Sequence, residues 1–289
     1  MEPPPRVPRA GARGARRGAR RVVCVSELVR RELAELYPAS IDRLVTIPNA
    51  VDLERFDPRE RARSGAELRR ALGVDVERGE SVLLIGCAAR NPELKGVPVL
   101  FDALARITRL PWTCVVAGPR ERAPWERRVR ALGLAGRVRI VEHVDAQAFA
   151  AACDVAVLPT WRDTCGLFVL EALASGTPAI TTARAGAAEC LADPRAGSVL
   201  ARSGDKELLA RELERWLARV AGAADGASSD AAAARAGHGS DACASTADRA
   251  LREAARAAVA TRGFGPWLDA FEALLADVRA EKAPERVRA

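Results

Sequence analysis

The chain has 289 residues, a length that suits about two domains, and 49% of them are hydrophobic, which excludes a chain disordered throughout. The formal net charge is +7, but residues 1–21 hold seven arginines against Glu2, a local +6 that leaves +1 for the rest. No apolar run approaches the roughly 18 residues of a membrane-spanning helix, and no apolar core of a secretory signal stands at the N-terminus.

Residues 1–21 are rich in Pro, Gly, Ala and Arg without an apolar period, and composition reads them as a disordered arm. Such an arm serves a nucleic-acid or anionic-membrane contact, or is a mis-assigned or truncated start. Residues 22–58 hold a strand at 22–25, a helix over 27–36 and a second strand from Leu44. From residue 59 to 220, β-branched apolar runs alternate with segments of helical period. Strands are read at 81–87, 113–118, 138–142, 154–159, 178–182 and 197–200. Helices fall between them at 97–107, 125–132, 146–152 and 166–175, and a long one follows over 205–220, with Asp205 placed to cap it. Residues 221–247 are 20 Ala, Gly or Ser out of 27, the composition of a flexible insert, and two amphipathic helices close the chain over 248–260 and 267–278.

This alternation predicts an α/β fold, a Rossmann-like parallel sheet with helices on both faces. Near-continuous apolar strands agree, because such strands are buried on both sides. Ligands of these sheets sit beyond the carboxyl ends of the strands. Function is therefore expected in the loops that begin near Cys87, Gly118, Glu142, Pro159 and Thr182. Seven scattered cysteines without a CxxC pair, and two histidines, argue for a reducing compartment and against a metal site. Only Lys95, Lys206 and Lys282 among 45 basic residues are lysine, so Lys95, beside a glycine in a loop, marks a place where the wide fork of arginine does not serve.

Three spots could carry chemistry. Arg90 and Lys95 lie five apart, just before Gly96 and a predicted helix. A phosphate fits between them and the helix N-terminus; an exposed loop with ordinary surface charges is the other reading. Asp163 precedes a helix that opens at Gly166, whose first N–H groups suit an anion. Glu171 interrupts the apolar run Gly-Leu-Phe-Val-Leu-Glu-Ala-Leu-Ala. Buried and unpaired, a carboxylate there costs on the order of several kcal/mol, and sugar or ribose hydroxyls would answer it. Alternatively Asp163 caps the helix and Glu171 faces water. His143, at the start of a loop, is read as a contact to a ligand's base or as a solvated histidine.

Taken in order, these pieces resemble a known family. Ile47-Pro-Asn-Ala-Val-Asp52 leads to Phe56, then Ala89-Arg90 to Lys95-Gly96, Val116-Ala-Gly118, Val138 to His143-Val144, and Asp154-Val-Ala-Val-Leu-Pro-Thr160. Asp163, Gly166-Leu167, Glu171-Ala-Leu-Ala-Ser-Gly-Thr-Pro178 and Ala185-Gly186 with Glu189 complete the series. The pattern is similar to the C-terminal half of a retaining glycosyltransferase of family four, with the GT-B fold of two facing Rossmann-like domains. It is close to the lipopolysaccharide-core sugar transferases, and the match covers about residues 22–220.

The resemblance implies roles. Arg90 and Lys95 match the basic pair that holds the donor diphosphate and stabilises its charge as it leaves. Glu171 matches the second acid of an E-x7-E motif, the one that binds ribose hydroxyls, and Asp163 stands in place of the first, which touches the transferred sugar. Gly166 and Leu167 match the pair whose N–H groups meet the phosphate, with Cys165 in place of a common Phe; His143 and Val144 lie where the base is lined. Ala50 departs from the usual Asn-Gly-Val-Asp. No metal or other cofactor is expected, and the sugar passes from a nucleotide sugar to a glycan or lipid-linked acceptor with retention.

The same resemblance implies that most of an N-terminal domain is missing, with residues 22–58 its remnant and linker, so that the chain is a fragment, a mis-called gene start, or one half of a split enzyme whose separate N-terminal-domain partner supplies the rest. Trp267, Leu268, Phe271, Leu274 and Leu275 are then expected to form a poorly covered apolar face. The domains expected are the arm (1–21), the remnant (22–58), the nucleotide-sugar-binding domain (59–220), the insert (221–247) and the final helices (248–289). The competing functions are a non-catalytic nucleotide-sugar-binding module or subunit of a split enzyme, a nucleotide-sugar epimerase, and a nucleic-acid binder working through the arm. The near-neutral remainder and the lack of stacking aromatics disfavour the last. The expected location is cytoplasmic, at most peripheral at the inner membrane face.

Overall fold

The computed structural model describes residues 19–74, 82–225 and 246–281. Most of the Arg-rich arm, Ser81 and most of the 221–247 insert, with Cys243 and His238, lie outside the described residues.

The chain begins with β1 (Val22–Cys24), α1 (Glu27–Leu36) and β2 (Leu44–Thr46), and β1 pairs with β2 in parallel. Ser26 caps α1, its hydroxyl accepting the Val29 N–H at 3.2 Å. A 3-10 turn at Pro58–Ala62 leads into α2 (Ser64–Ala71), a helix the periodicity did not mark. β3 (Leu83–Ala88), α3 (Val97–Leu104), β4 (Trp112–Ala117), α4 (Ala123–Ala131), β5 (Val138–Val141) and α5 (Ala146–Ala152) follow. Next come β6 (Val155–Leu158), α6 (Leu167–Ala174), β7 (Ala179–Thr182), β8 (Gly197–Leu200) and α7 (Lys206–Asp225). α8 (Thr246–Ala257) and α9 (Phe264–Ala280) end the described chain. Asp205 caps α7 through the Leu208 N–H, and α7 runs to Asp225, five residues into the segment that composition assigns to the insert.

Six strands form one all-parallel sheet in the order β5-β4-β3-β6-β7-β8. Alternation splits the core into two layers. Leu83, Ile85 and Cys87 of β3 join the Phe101, Leu213 and Trp216 layer, whereas Leu84 joins the layer of Phe149, Phe168 and Val169. Phe149 and Phe168 stack with centroids 5.3 Å apart. The α/β fold with helices flanking a parallel sheet is thus the one predicted, and no described helix is long and apolar enough to cross a membrane.

One buried device escaped the sequence reading. Asp154, just before β6, accepts from Arg61, from Arg69 at 2.8 Å and from the Leu84 N–H at 2.7 Å. Burial alone would raise its carboxyl, but the two guanidiniums and the N–H outweigh that and hold it well below the usual carboxylate range. Arg61 and Arg69 flank and belong to α2, so this cluster ties α2 to the amino end of the sheet. Arg256 of α8 donates to the Ala174 carbonyl at 2.6 Å and closes the C-terminus of α6.

Candidate functional site

The chain leaves β3 toward β4 and β5, then returns to β6 on the other side of β3. This is a topological switch point, where a crevice opens beyond the carboxyl ends of the strands. The loops after β3, β4, β5 and β6 line a cleft of about 600 Å³ there. Arg90, Lys95, His143, Val144, Asp163, Cys165, Gly166, Leu167 and Glu171 all line it, so the structure brings every singled-out residue to one place.

Two loops form its floor. The Leu94 carbonyl accepts from the Trp161 N–H and from the Thr160 hydroxyl, each at 2.9 Å, and so joins the loop after β3 to the loop after β6. Gly96 makes that approach possible: a Cβ there would stand 2.0 Å from the Pro159 carbonyl oxygen. The junction sets Lys95 against Asp163, Nζ to Oδ2 at 2.5 Å, while Asp163 Oδ1 accepts the N–H groups of Cys165 (3.1 Å) and Gly166 (2.9 Å). Asp163 thus closes the turn ahead of α6. The helix itself is entered through Gly166 at φ +85°, not capped by Asp163. Because Asp163 occupies the Gly166 N–H, the N–H groups that open α6 without an acceptor among the described residues are those of Leu167 and Phe168.

Glu171 lies one turn further along α6, half-buried, its carboxylate with no hydrogen bond or ion pair among the described residues. Burial pushes its carboxyl above the ordinary range, and the charge of Arg55 opposes that. Arg90 is exposed at the rim and carries no ion pair among the described residues. Arg120 does the same from the next loop and was missed. Its signal was present, a cation three residues past the end of β4, as Arg90 stands two past the end of β3. His143 is exposed beside Glu142 and half-buried Val144 on the β5 side. Cys165 is buried against Asn49; burial pushes its thiol up to about 11, which leaves it a packing group and not a nucleophile at neutral pH.

The N-terminal flank makes one wall. Asn49 lines the cleft, and the Ser26 hydroxyl donates to the Thr164 carbonyl at 2.8 Å. The Leu28 N–H donates to Glu189 at 2.9 Å, and Glu32 pairs with Arg162 at 2.6 Å and with Arg184 at 3.5 Å. α1 is therefore fastened to the loop that carries Asp163. Chemically, the cleft offers cations and free helix N–H groups at its floor, and a hydroxyl-seeking carboxylate beside them.

The chain is similar to known proteins in sequence and in fold. A family model described as Glycosyl transferases group 1 matches residues 81–219, and one described as Glycosyltransferase Family 4 matches residues 2–55. The family 4 match begins at residue 2 and so takes in the Arg-rich segment that composition sets apart. A D-inositol 3-phosphate glycosyltransferase of Catenulispora acidiphila is 33% identical over 198 residues, 63% of this chain and 44% of that protein. The Frankia alni protein of the same name is 31% identical over 247 residues, 78% of this chain and 58% of that one. The chain spans about half the length of the curated relatives it matches.

Solved structures agree in fold. A glycosyltransferase from Rickettsia africae superposes with a TM-score of 0.73 at 20% identity, covering 90% of this chain and 64% of that one. Anabaena HepE in complex with UDP-glucose gives 0.72 at 20%, covering 93% and 67%. WaaG, a glycosyltransferase of lipopolysaccharide biosynthesis, gives 0.65 at 21%, covering 83% and 58%. The fold is that of GT-B glycosyltransferases, while the curated relatives carry an inositol phosphate name and not a lipopolysaccharide one.

Proposed function

We propose that this chain binds a nucleotide sugar in the cleft and serves transfer of the sugar, with retention, to an acceptor hydroxyl. The unpartnered carboxylate of Glu171 carries this reading. A half-buried acid without a side-chain partner, one helical turn from free N–H groups in a cleft that cations also line, fits a diphosphate whose ribose hydroxyls reach the carboxylate. Arg90, Lys95 and the Leu167 and Phe168 N–H groups take the diphosphate in this reading, and Arg120 adds a third cation at the rim. His143 and Val144 line the base. As the bond to the sugar breaks, the negative charge grows on the diphosphate, where these fixed donors stabilise it without a metal. The acceptor hydroxyl attacks on the face the diphosphate leaves, which retains the configuration.

The acceptor side belongs to the proposal as well. The relatives' names make D-inositol 3-phosphate the first acceptor to try, ahead of a glycan or lipid-linked one. Six free buried cysteines suit a reducing cytoplasmic setting, and sedimentation with anionic vesicles tests a peripheral membrane contact.

Calorimetric titration of the full chain with UDP, GDP and ADP tests the reading, repeated on Glu171→Ala and Lys95→Ala. One nucleotide binds, and each substitution weakens it by about tenfold or more, the scale of a hydrogen bond to a charged group. A folded chain that binds none of them overturns it. Binding with no turnover of the matching nucleotide sugar, acceptor present, leaves a binding module instead of a transferase.

A further inference from the structure

The geometry points to a different task for Asp163 than contact with the transferred sugar. We propose that Asp163 is a positioning residue, whose carboxylate ties the Lys95 ammonium and the turn before α6 into one anion-binding unit. The inference rests on the cleft being the donor site.

Three observations carry it. First, both carboxylate oxygens are engaged. Oδ1 takes the N–H groups of Cys165 and Gly166 at 3.1 and 2.9 Å, and Oδ2 takes Lys95 Nζ at 2.5 Å. The Asp163 side chain keeps only 13% of its surface and that of Lys95 23%. Second, the backbone of Asp163 is locked. Its N–H donates to the Arg184 carbonyl at 2.9 Å and its carbonyl accepts from Gly186 at 3.0 Å, in a parallel bridge with Ala185. The side chain therefore cannot be swung toward the cleft by a small loop movement. Third, the side-chain length fits the task. An aspartate reaches N–H groups two and three residues ahead of it, closing the local turn that short acceptors favour. One further methylene would carry the carboxylate past them.

The unit so formed links two separate anion-binding features. Lys95 comes from the loop after β3, and the free N–H groups of Leu167 and Phe168 come from α6. One donor of the ammonium is spent on Asp163, and two remain for a phosphate. Holding a flexible lysine in place costs side-chain entropy that is then not lost at binding. The arrangement also sets a negative charge near the phosphate. That gives the two roles opposite signatures, because removing a mere charge would tighten anion binding while removing a tether would weaken it.

The test titrates Asp163→Asn in the full chain with a nucleoside diphosphate and with the matching nucleotide sugar, using UDP with UDP-glucose, GDP with GDP-mannose and ADP with ADP-glucose. Asparagine keeps a carbonyl for the turn but cannot accept the ammonium and hold the charge. The expected result is an equal loss for both ligands of the pair, about tenfold. In a Lys95→Met background Asp163→Asn then adds less than about twofold, because the tether is already gone. Loss confined to the nucleotide sugar, with the diphosphate unchanged, overturns the inference and restores the sugar contact, while the donor site stands. Tighter diphosphate binding overturns it as well and leaves Asp163 a repelling charge. A folded wild-type chain that binds no nucleotide overturns the donor site and this inference together. If Asp163→Asn does not fold, Asp163→Ser, which keeps a hydroxyl acceptor for the turn, takes its place. Failure of both while Lys95→Met folds overturns the ammonium tether in favour of a purely structural turn.

Discussion

The two parallel sheets of this protein are held by different means. In the six-stranded sheet β4, β6 and β7 are buried along their whole length, and only the edges, β5 and β8, carry exposed residues. In the two-stranded sheet only Cys24 and Leu44 are buried. The helices differ in the same sense. α7 sinks Leu209, Leu213, Trp216, Leu217 and Val220 into the core, whereas α9 runs for 17 residues without one buried side chain. α9 meets the β1 side through Arg21 with Glu281 and Arg20 with the Val278 carbonyl. A parallel pair with half-buried faces has little burial to hold it. Beyond the anchors Val51 and Phe56, which reach the core of the large sheet, the flank is held by polar contacts that reach the cleft loop through Ser26, Glu32 and Glu189. Stability belongs to the large sheet; the flank supplies a wall and a grip on the loop that carries Asp163.

The largest effect is expected where the core holds a charge. Asp154→Ala removes the buried anion that half-buried Arg61 and Arg69 share, and loss of one partner of a buried cluster costs about 3–5 kcal/mol. Urea melts should show that loss, against a change within about 0.5 kcal/mol for Arg21→Ala in the exposed flank pair. The pH dependence follows from the sign. The Asp154 carboxyl is held low in the fold, so its stabilisation is complete above the unfolded value near 3.8 and is lost as pH falls below it toward the depressed folded value. The wild type should lose stability in that acid range more steeply than the Asp154→Ala variant. Equal costs for the two substitutions would erase the distinction between the regions.

The large sheet was legible because its strands are near-continuous apolar runs, and its helices carry a strong apolar period. Ala146–Ala152 and Gly197–Leu200 fall where the sequence puts them. α2 was not legible: Ser-Gly-Ala-Glu-Leu-Arg-Arg-Ala buries only Gly65 fully, and beside the packing of Leu68 and Leu72 it is held by the ion cluster around Asp154, which no period reveals. The cleft residues could be gathered from their position after strands and from the family pattern. What each side chain touches could not. The bond from Lys95 to Asp163 joins residues 68 apart, and it decides that Asp163 points at a lysine rather than capping a helix. Arg120 was legible only by analogy, a cation just past β4 as Arg90 is just past β3, and the neighbouring loops make it part of the cleft.

The next effect is smaller in stability and opposite in sign. Burial raises the Glu171 carboxyl, so the folded state carries this ionised acid at a cost that grows as pH rises through its folded value. Glu171→Gln removes the charge and keeps the shape. Its expected outcome is a Tm at or above that of the wild type at pH 7, with the gain fading toward pH 4, together with nucleotide binding weakened by about tenfold or more. Differential scanning beside calorimetry checks both halves. A lower Tm with unchanged binding would make Glu171 a structural acid and move it from the cleft to the scaffold side of the comparison.

The smallest effect is expected on α9. Leu268 and Leu275 are 50% and 52% exposed, so replacing both with Ser removes little burial, and each change should stay within about 0.5 kcal/mol. Nucleotide binding should not change, since neither residue lines the cleft. Self-association should fall instead, read as a lower concentration dependence of light scattering, because contiguous apolar surface of this kind drives it. Trp267 and Phe271 of the same helix pack on each other at 4.6 Å between centroids, an internal contact that the serines leave intact. A loss of stability comparable to truncating Trp216, about 3–5 kcal/mol for a buried tryptophan, would mean that α9 is held by its apolar face after all. The flank would then share the burial that now separates it from the sheet.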